Sequence, residues 1–127
     1  MTQQTYGVAF VGSGSAQLET VLTNDQLAPV EWIATRTGIR TRHIASVQES
    51  IRSLGGQAVR NAIAQANLSP TDIDLIILAT STPDDLFGSA CQIQSEVGAT
   101  QAVAFDITAA CSGFVFSLVT AAQFIRT

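Results

Sequence analysis

The sequence has 127 residues, the length of a single domain, and 13% of them are charged, about half of the ~25% that is usual for soluble domains. The net charge of −4 argues against general binding to nucleic acid or to an anionic membrane. The two cysteines, Cys91 and Cys111, make no zinc-binding pattern. The low charge predicts that further protein covers a large part of the surface.

The opening of the chain leads straight toward an apolar stretch and has no basic region of the kind that starts a signal peptide. No apolar run reaches the ~18 residues that a membrane-spanning helix requires. We therefore expect a cytoplasmic protein with reduced thiols and no membrane partner.

Apolar stretches and helical patterns alternate along the chain. Residues 8–11, 75–80 and 102–105 have the character of buried strands, and we expect an irregular segment between Asn24 and Gly38, interrupted by Pro29. Strands separated by helices predict a parallel sheet that is covered on both faces.

Four local signals define the helices. Apolar residues recur at helical spacing over residues 50–66, and Asn67 suits the left-handed cap that follows. Ser69 before Pro70 predicts a short helical turn. Residues 89–97 form a helix that Gly98 ends, and a last helix follows Cys111.

The Gly12-Ser13-Gly14 stretch resembles the start of a dinucleotide-binding fingerprint. The third glycine of that fingerprint is missing, because Gln17 stands in its place. We interpret the stretch as a tight turn.

Cys111 lies where an apolar strand turns into an apolar helix that carries no charge before Arg126. Such a helix is predicted to be buried on every face. The start of a helix has a partial positive charge and stabilises a thiolate, which is the nucleophilic form of cysteine. Small neighbours would let a substrate carbonyl approach the sulfur. Position alone leaves a catalytic nucleophile and a structural cysteine equally open.

The segment of residues 31–43 holds Trp32, His43 and three of the six basic residues, all of them arginines. Trp32 beside Arg36 could stack an adenine and bind phosphate, but spacing alone favours internal ion pairs and a buried tryptophan. His43 is interpreted as structural.

Three further acids are not assigned to catalysis. Asp106 is expected to cap the turn before Cys111. Asp84 and Asp85 are expected to be a solvated pair and not a metal site.

Three motifs occur in one order along the chain: W32-I-A-T-R-T-G-I-R40 with Arg42 and His43, A90-C-Q-I-Q94, and F105-D-I-T-A-A-C-S-G-F114. Together they resemble the first part of the beta-ketoacyl-acyl-carrier-protein synthase III family, which starts type II fatty acid synthesis. The resemblance implies a thiolase-like α/β fold in five αβαβα layers. Residues 1–127 would be its N-terminal half-domain, with the second half absent from the chain.

The resemblance also implies residue roles. Cys111 would be the catalytic nucleophile that takes an acyl group, typically acetyl, from acyl-CoA, and malonyl-acyl-carrier protein would be the second substrate. Trp32 and Arg36 would bind the CoA nucleotide, and Phe87 would reach across a homodimer interface to the acyl pocket. The reaction would use no cofactor and no metal.

Two departures from the family bear on function. The family's catalytic His and Asn come from its second half, so these 127 residues alone are expected to be inactive. The segment before Trp32 is short, which affects the CoA contacts. Two other interpretations stay open: a thiolase-fold synthase with another starter acyl group, of polyketide or quinolone type, and an inactive half that serves as an interaction module. The apolar helix that reaches Thr127 predicts that another stretch of polypeptide covers it.

Overall fold

The computed structural model describes residues 7–27 and 31–127, so Pro29 lies outside the described residues. In these ranges the chain is a mixed α/β domain. The strands are β1 (Thr20–Thr23), β2 (Thr41–Ile44), β3 (Leu75–Ala79) and β4 (Val103–Ile107); the helices are α1 (Asn24–Leu27), α2 (Trp32–Thr37), α3 (Ile51–Ala66), α4 (Ala90–Val97) and α5 (Gly113–Arg126), with 3₁₀ turns at Pro70–Asp72 and Ala110–Ser112.

Strands β3 and β4 pair in parallel, in a register that runs from Leu75 opposite Val103 to Ala79 opposite Ile107. This confirms the predicted parallel pairing for two of the three apolar stretches. The third prediction is wrong, because residues 8–11 form no strand and Phe10 is 78% exposed. An apolar run becomes a strand only when a neighbouring strand completes its hydrogen bonds.

Strands β1 and β2 form a separate antiparallel pair, with Thr20 opposite Ile44 and Thr23 opposite Thr41. Their sequences are short and partly polar, so periodicity did not reveal them. The segment expected to be irregular contains α1 and α2, and Gly38 ends α2 in the left-handed region at φ 72°.

The predicted helix over residues 50–66 is confirmed as α3. Ser50 caps its start by accepting a hydrogen bond from the Ser53 amide, and Asn67 ends it at φ 55°. Ser69 caps the 3₁₀ turn in the same way, and Gly98 ends α4 at φ 77°. The sequence predicts these element ends because each depends on one local side chain or on one residue with a left-handed backbone.

The core lies between α4 and the β3–β4 pair. Its buried members are Ile76, Ala90, Ile93, Val97, Ala99 and Ala102. Helix α3 packs against α4, and Glu96 bridges the two helices by accepting from Arg52 at 2.9 Å and Arg60 at 3.4 Å. The hydrogen bond and charge of Arg52 lower the pKa of Glu96 below its usual value. Both arginines are about half exposed, so these ion pairs orient the helices more than they stabilise the fold.

The Gly12-Ser13-Gly14 stretch packs against α3, so the prediction of a tight turn is wrong. A Cβ atom on Gly12 would lie 2.5 Å from the carbonyl oxygen of Ala62, and one on Gly14 would overlap the backbone of α3 at Ala58. The Ser13 hydroxyl donates to Gln65 Oε1 at 3.0 Å. The two glycines therefore allow the backbone of residues 12–14 to lie close to the backbone of α3.

We expect Gly14→Ala to destabilise the protein by about 3 kcal/mol, because backbone atoms of α3 block the added methyl group. Urea unfolding of the complete protein that contains this sequence measures the change. Gly7→Ala is the matched control, since a Cβ atom there has no neighbour within 4 Å. Equal stability of the two variants would contradict the tight packing.

Helix α5 is partly exposed in this chain, as expected for an apolar helix that another stretch of polypeptide covers. Phe114 is 70% exposed, and a groove of about 750 Å³ lies between α5 and β3. Other exposed apolar residues of the helix are Val115, Phe116, Val119, Phe124 and Ile125. The helix carries the apolar surface of a core element, and the described residues cover one side of it.

Candidate functional site

Cys111 lies in a sharp turn between the end of β4 and the start of α5. Ala109 has φ −146° and ψ 32°, and Ala110 has a positive φ of 45°, which is unusual for a residue other than glycine. A left-handed alanine costs free energy, and such costs are typical of functional turns. The thiol of Cys111 is free and its residue is exposed. The turn thus presents Cys111 to solvent one residue before Ser112, which occupies the N-cap position of α5 without a side-chain capping hydrogen bond.

Hydrogen bonds to the end of β3 anchor the Cys111 turn. The amide of Thr80 donates to the Ile107 carbonyl at 3.1 Å, and the Thr108 hydroxyl donates to the Thr80 carbonyl at 3.1 Å. Gly113 lies against Ala79, where a Cβ atom would come within 2.9 Å of the Ala79 side chain. These contacts fix the backbone on both sides of Cys111.

Asp106 does not cap the Cys111 turn, so that prediction is wrong. Its carboxylate accepts hydrogen bonds from the amides of Ser89 at 2.9 Å and Ala90 at 2.7 Å, at the start of α4. A side chain at the end of a strand reaches the neighbouring helix here, a contact that sequence spacing could not reveal. The one sequence signal for this contact was the presence of an acidic residue in an otherwise apolar strand.

Cys91 differs from Cys111 in its setting. It is also free and exposed, but it lies inside the first turn of α4 and its thiol is 3.6 Å from the Ala104 carbonyl oxygen. The backbone there is regular helix. Cys111 is therefore the better candidate for a nucleophile.

Trp32 and Arg36 lie at the two ends of α2 and together line a shallow depression of about 450 Å³. Trp32 is 56% exposed, so the interpretation as a core residue is wrong. The ion pairs found within residues 7–27 and 31–127 join Arg52 and Arg60 to Glu96, and Arg36 takes no part in them. An exposed indole beside a guanidinium suits a flat aromatic group that carries phosphate.

His43 is structural, as the sequence predicted. Its Nδ1 atom lies 2.8 Å from the Leu18 carbonyl oxygen, and its Nε2 atom lies 3.1 Å from Gln17 Nε2. The ring therefore ties β2 to the segment before β1.

Phe87 lies at the tip of an exposed loop between β3 and α4, beside Leu86, and the two are 93% and 98% exposed. The neighbouring acids Asp84 and Asp85 are both exposed, as expected for a solvated pair, and each also accepts hydrogen bonds from backbone amides. Asp85 accepts from the Phe87 amide at 2.8 Å, and Asp84 accepts from the first amides of α3. Across the described ranges, no three acidic, histidine or cysteine side chains group as a metal site.

The structure brings the candidate residues into two places. Cys111 and Phe87 follow the carboxyl ends of β4 and β3, which lie at one edge of the sheet because the strands are parallel. This is the edge at which α/β proteins bind their ligands. Trp32 and Arg36 line their own depression on α2. In the part of the chain that the structure describes, no helix is long and apolar enough to cross a membrane.

Comparison with known proteins shows what this chain is similar to. Residues 105–127 match the family model of 3-oxoacyl-[acyl-carrier-protein (ACP)] synthase III. The beta-ketoacyl-[acyl-carrier-protein] synthase III of Trichormus variabilis is 63% identical over 98% of this chain and 39% of its own. The crystal structure of 3-oxoacyl-[acyl-carrier-protein] synthase III from Aquifex aeolicus superposes with a TM-score of 0.88 at 46% identity, over 94% of this chain and 40% of its own. The priming beta-ketosynthase of the R1128 polyketide pathway superposes with a TM-score of 0.92 at 33% identity, over 99% of this chain and 40% of its own.

The fold is therefore that of the thiolase-like condensing enzymes. Within that class, the chain is similar in sequence over nearly its whole length to beta-ketoacyl-[acyl-carrier-protein] synthase III proteins, a resemblance that its motifs predicted. The chain spans about 40% of the length of the relatives that it matches.

Proposed function

We propose that the protein containing this sequence is a synthase III type acyltransferase that condenses an acyl-CoA with malonyl-acyl-carrier protein. The observation that carries the proposal is the exposed Cys111 in a strained turn ahead of α5, within a motif region that matches the synthase III family model. We assign catalysis to Cys111 and substrate binding to Trp32, Arg36 and Phe87. The acyl-CoA is a substrate, and the proposed reaction needs no cofactor.

In the first half-reaction, the Cys111 thiolate attacks the thioester carbonyl of acyl-CoA. A carbon–sulfur bond forms to Cys111, the bond to the CoA sulfur breaks, and CoA leaves as a thiolate that takes up a proton. The position before α5 favours this step, because the partial positive charge at a helix start stabilises negative charge. Trp32 and Arg36 would hold the nucleotide of CoA meanwhile.

In the second half-reaction, malonyl-acyl-carrier protein loses CO₂, and the resulting carbanion attacks the acyl-Cys111 carbonyl. A carbon–carbon bond forms and Cys111 leaves as thiolate. Both ring nitrogens of His43, the single histidine of the sequence, lie against Leu18 and Gln17. We therefore assign the groups that promote decarboxylation to residues outside this sequence. We also propose a cytoplasmic homodimer in which Phe87 contributes to the partner's acyl pocket.

Mass spectrometry tests the acyl-enzyme directly. After the complete protein is incubated with acetyl-CoA and digested, a mass increase of one acetyl group is expected on the peptide that contains Cys111. The peptide that contains Cys91 serves as the internal control and is expected to stay unmodified. Acetylation of Cys91 with Cys111 unmodified would overturn the assignment. A protein that stays unmodified would favour the non-enzymatic interpretation, in which the chain is part of an interaction module.

A second candidate is a condensing enzyme of the same type that takes a longer or branched starter acyl group. The superposition with a priming beta-ketosynthase of a polyketide pathway supports this second candidate. Competition between acetyl-CoA and longer acyl-CoA esters for Cys111 decides between the two, because the preferred starter acylates the cysteine first.

We expect Trp32→Ala to weaken CoA binding by about 1–3 kcal/mol, the usual contribution of a base stacked on an aromatic side chain. Calorimetry with CoA on the complete protein measures the change. Val47→Ala removes an apolar side chain that is likewise exposed, and it should leave the affinity unchanged. Full CoA affinity in Trp32→Ala would show that the depression on α2 is not the nucleotide site.

A further inference from the structure

The hydrogen-bond ladder between β3 and β4 ends in an unusual way at the turn before α5. In this parallel ladder the amides of β4 donate to β3 at every second residue, starting with the Val103 amide, which donates to the Asp74 carbonyl at 2.8 Å. Continued in the same register, the amide of Ala109 would donate to the carbonyl of Thr80. The Thr80 carbonyl instead accepts from the Thr108 hydroxyl at 3.1 Å. A side chain thus takes the place of the next backbone donor.

This exchange of donors lets the chain leave the sheet. Because the Ala109 amide stays out of the ladder, Ala109 adopts φ −146° and ψ 32°, and Ala110 follows at φ 45°. Threonine hydroxyls compete with backbone donors in this way, and a strained backbone persists only where its surroundings over-determine it. In the part of the chain that the structure describes, no other side chain between Ile107 and Gly113 makes a hydrogen bond. The Thr108 hydroxyl is therefore the side-chain group that supports the strained turn.

A second contact holds the far side of the turn. Gly113, at the start of α5, lies against the last residue of β3, since a Cβ atom there would be 2.9 Å from the Ala79 side chain. Residues 109–112 therefore connect two points that are fixed on adjacent residues of β3, Ala79 and Thr80. A backbone fixed so closely at both ends has few conformations open to it. Release of the Thr80 end would allow the turn to relax.

We propose that Thr108 is a positioning residue whose hydroxyl occupies the Thr80 carbonyl and thereby holds Cys111 at the start of α5. Without the hydroxyl, the Ala109 amide would take the open carbonyl, and the ladder would lengthen by one residue. The backbone before Cys111 would be drawn toward β3, and the thiol would move away from the helix start that stabilises a thiolate. The part that concerns acyl transfer rests on the proposed function.

Thr108→Val is the direct test, because valine keeps the branched shape and removes the hydroxyl. Thr108 is exposed, so the variant should fold. In hydrogen exchange on the complete protein, we expect the Ala109 amide to exchange about 5-fold more slowly, the factor for one gained neutral hydrogen bond. A general loss of stability would speed the exchange, so the sign of the change separates positioning from stability.

Two further measurements follow the thiol itself. Alkylation of Cys111 by iodoacetamide is expected to slow by about 2- to 5-fold, the contribution of a helix terminus to a nearby charge. The rate of acylation at saturating acetyl-CoA is expected to fall by about 10-fold or more, because the reacting groups lose their alignment. The affinity for CoA should stay unchanged, since Trp32 and Arg36 line a separate depression on α2.

Two other variants complete the test. Thr108→Ser keeps a hydroxyl at the same position and should restore both the exchange rate of the Ala109 amide and the alkylation rate of Cys111. Thr120→Val is the matched control, since the Thr120 hydroxyl also donates to a backbone carbonyl, that of Phe116 at 2.8 Å, but inside α5. It should leave both rates at their wild-type values.

Two results would overturn the inference. Wild-type or faster exchange of the Ala109 amide in Thr108→Val would show that the hydroxyl does not keep this amide out of the ladder. Equal slowing of Cys111 alkylation in Thr108→Val and Thr120→Val would show a role in stability alone. If acetyl-CoA does not acylate the wild-type protein, the proposed function fails with the acyl-transfer part, and exchange and alkylation still decide whether Thr108 positions Cys111.

Discussion

Cys111→Ala is expected to abolish acyl transfer, with a loss of at least about 10³-fold in turnover, because the covalent intermediate cannot form without the thiol. Ala removes the sulfur from an exposed position, so the fold should keep its stability. The loss should appear in both half-reactions. No acyl group should accumulate on the protein, and no condensation product should form from malonyl-acyl-carrier protein.

Cys91→Ala is the matched control, since it removes the other free and exposed thiol. It should keep acylation and condensation near the wild-type rates. Stopped-flow or quench measurements of acyl-enzyme formation, followed by product analysis, compare the two variants. Condensation at wild-type rates in Cys111→Ala would remove the cysteine from the mechanism, and loss of activity in Cys91→Ala alone would transfer the role to Cys91.

The 127-residue chain by itself is expected to self-associate or aggregate. Helix α5 exposes half or more of six apolar residues, and each forgoes about half of the roughly 1.5–3 kcal/mol that full burial contributes. Together the six would offset a large part of a domain stability of ~5–15 kcal/mol. The exposed members are Phe114, Val115, Phe116, Val119, Phe124 and Ile125. Analytical ultracentrifugation of the chain over a range of concentrations measures the association.

A pair of charged substitutions tests whether the apolar surface of α5, and not another part of the molecule, causes the association. Phe116→Glu with Val119→Lys places an ion pair at helical spacing on α5 and should shift the chain toward monomer. Val47→Glu adds charge at an exposed apolar site outside α5 and should not. A wild-type chain that stays monomeric at high concentration would contradict the prediction. The chain alone should also fail to condense malonyl-acyl-carrier protein, because the resemblance places the catalytic His and Asn elsewhere.

Local chemistry made part of this protein readable in its sequence. Ser50 and Asn67 bound α3 because a cap and a left-handed residue act within one turn of the chain. The apolar runs of β3 and β4 marked buried strands, and the helix between them predicted their parallel pairing. Cys111 was a candidate nucleophile from its place between a strand and a helix, and the motifs around Cys111, Trp32 and Cys91 indicated the resemblance to the synthase III family.

Contacts between distant segments decided the rest. Gly12 and Gly14 signalled a special backbone, but only packing shows that the neighbour is α3. Trp32 is exposed because no described segment covers α2 there, and exposure depends on neighbours that hydropathy does not specify. Asp106 was assigned to its own turn, whereas its carboxylate reaches α4, sixteen and seventeen residues away in sequence. Spacing along a chain predicts periodic and capping interactions, and it carries no information on which side chains meet across the fold.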